Sequence, residues 1–124
     1  MKIRPESVEP IYIQIAQGIE DDILNGILNE DEVCYSQNQI AKTFNINPAT
    51  AAKGINLLVE EGVLYRKRGM GMHVSIGART MIIKKRKTVF LKEFVEKLVN
   101  EAQKLEIDKE EIIEMINRAY GRGD

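Results

Sequence analysis

Three short stretches hold the polar groups of this chain that could make directed contacts. The first, Asn47-Pro48-Ala49-Thr50-Ala51-Ala52-Lys53-Gly54-Ile55-Asn56, sets one hydroxyl, one ammonium and two carboxamides among methyl-bearing residues. The second, Arg66-Lys67-Arg68-Gly69-Met70-Gly71, puts three bases before a glycine-flanked tip. The third, Ser36-Gln37-Asn38-Gln39, has the spacing of a helix cap. Such groups suit hydrogen bonding and charge neutralisation. Bond-breaking chemistry lacks its usual parts. A single cysteine, Cys34, and a single histidine, His73, supply neither a disulfide, a cysteine-rich zinc site nor a nucleophile with its base. Glu60 and Glu61 are adjacent, so they diverge on a helix instead of pairing across a substrate. No catalytic residue, metal or cofactor is expected, and the chain is read as a non-enzyme.

The net charge of −1 predicts no polyanionic partner, but its distribution is uneven. Residues 1–32 carry a balance of −6, residues 33–77 one of +3, and residues 78–124 one of +2. The middle of the chain, which contains all three polar stretches, is therefore locally basic. No secretory segment opens the sequence, and no apolar run approaches the roughly 18 residues of a membrane span. A cytoplasmic protein without a membrane partner is expected.

The elements that must carry these residues follow from periodicity. Pro10 opens a helix whose apolar positions Tyr12, Ile15, Ala16, Ile19, Ile23 and Leu24 recur at helical spacing, and Gly26 stops it. Ser36 with Gln39 caps a short helix over about 37–44, burying Ile40, Ala41 and Phe44. Asn47 caps the next, with Pro48 at its first position, and Gly62 ends it. Two short helices joined by a tight turn form a helix-turn-helix. On the second helix Ala51, Gly54, Ile55 and Leu58 form the inward stripe, which turns Ala49, Thr50, Ala52, Lys53 and Asn56 outward. Two β-like runs, 63–67 and 72–76, flank the turn at Arg68–Gly71. The remainder is helical. Leu91, Phe94, Val95, Leu98, Val99, Ala102 and Leu105 make a wide apolar stripe, and Asp108 caps a last helix with Ile112, Ile113, Ile116, Ala119 and Tyr120 on its apolar side. Two such helices cannot enclose a core alone, so the stripe needs a partner surface, for which a second copy of the chain is favoured.

The fold class expected is mainly α with a small β-hairpin: a winged helix-turn-helix over residues 1–77, followed by a C-terminal helical dimerisation segment over 78–124. From spacing alone, the 48–61 helix serves equally well as a bland surface helix or as one lying in a DNA groove. Taken by themselves, the three wing bases are of the kind that usually forms a solvated charge run.

Three stretches resemble the GntR superfamily of bacterial transcription regulators, in particular its YtrA branch: PIYIQIAQGIEDDILNG at 10–26, SQNQIAKTFNINPAT at 36–50 and LLVEEGVLYRKRGMGMHV at 57–74. The resemblance implies DNA binding through a winged helix, a homodimer joined by the C-terminal helices, and usually repression. It favours DNA contact by Ser36, Asn38, Asn47, Ala49, Thr50, Lys53, Asn56, Arg66, Arg68, Gly69 and Gly71, and dimerisation through Leu91, Phe94, Val95, Leu98, Ile112 and Ile116. Thr50, Lys53 and Asn56 would reach phosphates or base edges, and Ala49 and Ala52 thymine methyls. The sequence departs from the family's pattern at four points, one of them Thr50-Ala51 where the family has Thr-Val. Tyr35 and Asn38 stand where Leu-Pro-Ser-x-Arg has proline and arginine, Lys53 stands for an arginine, and the wing reads Gly69-Met70-Gly71-Met72-His73 in place of Gly-x-Gly-Thr-Phe. A winged helix serving protein–protein interaction is the alternative, and the sequence names no small-molecule effector.

Overall fold

A computed structural model describes residues 1–122. The chain divides into two compact units, Met1–Lys84 and Lys85–Asp124, the second described to Arg122.

In the first unit α1 spans Ile11–Leu24, α2 Gln37–Phe44 and α3 Pro48–Glu60. Each begins and ends for a local reason. Pro10 precedes α1, and Gly26 takes a φ of 77° just beyond it. Ser36 and Gln39 form a reciprocal capping box: the Gln39 N–H donates to Ser36 Oγ at 3.1 Å, and the Ser36 N–H donates to Gln39 Oε1 at 2.8 Å. Asn45 closes α2 in the left-handed region at φ 52°, a conformation asparagine tolerates better than most residues. That reversal lets Asn47 start α3 two residues later.

The hairpin pairs β1 (Leu64–Lys67) with β2 (Gly71–Val74) antiparallel, from Leu64 opposite Val74 to Lys67 opposite Gly71. Both strands differ by a residue or more from the expected 63–67 and 72–76. The Val63 N–H donates to the Leu58 carbonyl, which leaves Val63 in the turn out of α3. The acidic connector after α1 also does more than link. Val33 bridges His73, and the N–H groups of Asp31 and Cys34 donate to the carbonyls of Val74 and Met72. This segment thus covers the outer edge of β2.

The core of the unit is built from Ile15, Ile19, Ile55, Leu58, Leu64 and Val74, all nearly inaccessible. Cys34 is buried with them, and burial pushes its thiol up to about 11, which suits a packing residue and not a reactive one. The next helix, α4 (Ala78–Phe90), buries Ala78 and Ile82 in the same core. The boundary between the two compact units falls inside α4.

In the second unit the chain continues through a π-helical turn at Leu91–Val95 into α5 (Glu96–Lys104), then turns into α6 (Lys109–Arg122). The π turn lies within the stretch that carries the expected apolar stripe. Asp108 Oδ1 accepts from the Glu111 N–H at 2.9 Å, as a cap of α6. Phe90, Leu91, Phe94, Leu98 and Ile116 are exposed, Phe94 at 63 %, while Val95 and Ile112 are half-buried. The Phe90 and Phe94 rings sit 5.4 Å apart. A mainly helical fold with one small hairpin, the winged helix-turn-helix, is what these elements make.

One contact decides where α3 lies. A Cβ on Gly54 would fall 2.7 Å from the carbonyl oxygen of Tyr12 and 2.9 Å from side-chain carbons of Ile15. Gly54→Ala is expected to destabilise the fold by about 1–2 kcal/mol in urea melts, because overpacking against α1 backbone outweighs the gain in helix propensity. A more stable variant would contradict the close crossing.

Candidate nucleic-acid interface

The inward stripe of α3 is as expected: Ala51, Gly54, Ile55 and Leu58 are buried. Ala49, Lys53 and Asn56 are exposed on the opposite side, with Thr50 and Ala52 half-buried between the two faces. With Tyr12, Leu57 and Glu60, the residues Ala49, Ala52, Lys53 and Asn56 line an open groove of ≈ 550 Å³. Methyl groups form much of its floor, and the Lys53 ammonium and Asn56 carboxamide are its main donors.

Tyr12 was expected among the apolar core positions of α1. The structure corrects this: its ring is half-buried at the groove edge, with Lys53 Nζ over it at 4.1 Å from the centroid. Periodicity could not find this pair, because the two residues meet only through the α1–α3 crossing at Gly54. Leu57 and Glu60 are the other groove residues that spacing did not single out.

The helix N-termini differ in what they can offer an anion. At α3, Asn47 takes up the early donors. Its Oδ1 accepts from the Ala49 N–H at 2.8 Å, its carbonyl accepts from those of Thr50 and Ala51, and Pro48 has none. Capping therefore occupies the backbone of α3, and the Asn47 side-chain amide is the group left to donate. At α2 the capping box engages the N–H groups of Ser36 and Gln39. Asn38 is exposed in the first turn of α2. It carries a carboxamide, so this position has no formal charge and no five-donor fork.

On the wing, Arg66 and Arg68 are exposed and form no ion pair among the described residues. The three-residue loop closes through the Met70 N–H and the Lys67 carbonyl at 2.8 Å. Gly69 and Gly71 have φ values of 75° and 81°, which favour glycine and leave the tip without bulk. His73 turns inward from β2, buried, with its ring 5.8 Å from that of Tyr65 and Nδ1 3.3 Å from the Gly71 carbonyl. The Tyr65 hydroxyl donates to Asp31 Oδ1 at 2.6 Å, which ties the root of the wing to the connector. That hydrogen bond holds the Asp31 carboxyl below its ordinary range. A second tyrosine–aspartate bond, Tyr35 to Asp22 at 2.6 Å, ties the start of α2 to α1.

What the geometry can do is bind a polyanion with two separate elements, a smooth helix face and a basic hairpin. It brings Ala49, Lys53 and Asn56 together on one surface and Arg66, Arg68, Gly69 and Gly71 on another. Among the described residues no cluster of acids, histidines and cysteines could hold a metal ion, and no helix is long and apolar enough to cross a membrane. If both wing arginines meet phosphates, Arg66→Ala with Arg68→Ala will reduce the slope of log K against log salt by about two. An unchanged slope in a fluorescence-anisotropy titration would remove the wing from the interface.

Comparisons with known proteins agree with this geometry. The family model for bacterial regulatory proteins of the gntR family matches residues 11–74. The HTH-type transcriptional repressor YtrA of Bacillus subtilis is 30 % identical over 94 % of this chain and 88 % of its own length. A GntR-family transcriptional regulator from Bacteroides thetaiotaomicron superposes with a TM-score of 0.79 at 35 % identity, covering 92 % of this chain and 99 % of the other. BusR of S. agalactiae, solved with its busAB-promoter DNA, superposes with a TM-score of 0.56 at 27 % identity, over 93 % of this chain and 57 % of that one.

Proposed function

The chain belongs to the gntR family of bacterial regulatory proteins and is a DNA-binding transcription regulator, and from that premise we propose that it is a cytoplasmic repressor, without enzymatic activity, that grips a pseudo-palindromic operator as a homodimer. Residues 1–77 act as the DNA-binding domain and 78–124 as the dimerisation segment. The observation that carries this reading is the groove face of α3 together with a wing whose Arg66 and Arg68 are exposed. Lys53, Asn56 and Thr50 donate to the duplex in the major groove, Ala49 and Ala52 pack on thymine methyls, and Arg66 and Arg68 neutralise backbone phosphates. Ser36, Asn38 and Asn47 supply further polar contacts from the two helix starts, and the glycines at 69 and 71 let the wing tip approach the backbone. Few groups can read base edges, so discrimination per half-site is modest, and pairing two half-sites raises it.

The exposed apolar residues of the second unit support the dimer. Leu91, Phe94, Leu98 and Ile116 remain at least two-fifths exposed; an apolar face of that kind is a typical protein–protein surface. A two-fold dimer puts its half-sites about one helical turn apart.

Selection of bound duplexes from a random pool tests the function. A pseudo-palindrome that is bound selectively, with affinity falling steeply as salt rises, is the expected result. Equal and weak binding to selected and scrambled duplexes would favour an interaction module instead. Glu or Lys at Phe94 and Leu98 is expected to yield monomers in sedimentation and to weaken operator binding. A wild-type chain that stays monomeric at micromolar concentration would contradict the dimer.

A further inference from the structure

The α1–α3 groove contains a pair that neither element explains alone. Lys53 Nζ lies over the Tyr12 ring at 4.1 Å, and Gly54 lets the Tyr12 backbone reach that spot. Lysine is a compact charge on a flexible stem, and without a constraint its ammonium settles on any nearby phosphate. An aromatic face changes this. The negative face of the ring attracts the ammonium from one side and leaves the remaining N–H donors directed away from the ring. Ala49 and Ala52 beside it are too short to compete for the same base edge. The ring face is the contact that Tyr12 makes with Lys53.

Resting on the DNA-binding reading above, we propose that Tyr12 is a specificity-determining positioning residue, which holds the Lys53 ammonium for one guanine of each half-site. Guanine is the base that presents two acceptors, O6 and N7, to the major groove, and a fixed donor can favour it over adenine, which replaces one acceptor with a donor. The ring thus supplies the geometric constraint that an arginine fork would provide by itself.

The test uses the full chain and the selected operator. Lys53→Ala identifies the base pair that loses its guanine preference. Affinities are then measured for duplexes with G·C and A·T at that pair, each across a salt series. Tyr12→Leu, which fills the same apolar space without a ring face, is expected to lower the guanine preference about two- to five-fold, with the salt slope unchanged. Tyr12→Phe and Tyr12→Trp keep the face and are expected to keep the preference. With Lys53→Ala already present, Tyr12→Leu is expected to change nothing further.

An unaltered preference in Tyr12→Leu would overturn the inference while leaving the DNA-binding reading intact. Equal losses with and without Lys53 would also overturn it, since they mark a merely structural role. If Tyr12→Leu fails to fold, Tyr12→Phe and Tyr12→Trp decide: loss of preference in both contradicts positioning by the ring face. Absence of salt-dependent DNA binding by the wild-type chain would overturn this inference together with the reading it rests on.

Discussion

The crossing of α1 over α3 at Gly54 sets the geometry on which the candidate interface depends. Without a Cβ there, main-chain atoms of Tyr12 come within contact distance of α3. The crossing buries Ile15, Ile55 and Leu58 together and fixes the rotation of α3 about its axis. That rotation in turn decides which residues are left outside. Ala49, Lys53 and Asn56 face outward because Ala51, Gly54, Ile55 and Leu58 are needed inside. A larger residue at 54 would force the helices apart or turn α3, and either movement would shift the groove.

The second constraint is how little backbone remains available at the start of α3. Asn47 and Pro48 start the helix cleanly, but they also consume or remove its early donors. Recognition is left to side chains, and those are few. The chain is consistent with a division of labour in which the wing and helix starts supply affinity and a small set of groups on α3 supplies selectivity. Two tyrosine–aspartate hydrogen bonds, Tyr35 to Asp22 and Tyr65 to Asp31, tie the start of α2 and the root of the wing to the rest of the unit. Rigid support of this kind reduces the ordering that binding would otherwise require.

Local signals made much of this legible in the sequence. Ser36 with Gln39, Asn47 with Pro48, and Gly26 are short-range determinants, and each acts in the structure where its type and spacing imply. The inward stripe of α3 followed from helical period alone. Contacts between distant segments were not legible. Tyr12 occupies a position with core spacing, yet its ring lies at a groove edge, because that depends on how α1 meets α3. The pairing of residues 31–34 with β2 was hidden for the same reason: an acidic connector carries no strand pattern, and its backbone donors find Val74 and Met72 only once the hairpin exists. The π turn at Leu91–Val95 has no composition signal, since its residues fit an α-helix equally well.

The most direct measurement is a titration of isotope-labelled chain with its selected duplex, followed through backbone and side-chain amide resonances. The account predicts that residues 47–56 and 66–71 shift first and most, with the Asn56 side-chain amide among them, while α6 stays unchanged. Shifts confined to other surfaces, with residues 47–56 silent at saturation, would contradict the assignment of α3 as the helix that meets DNA.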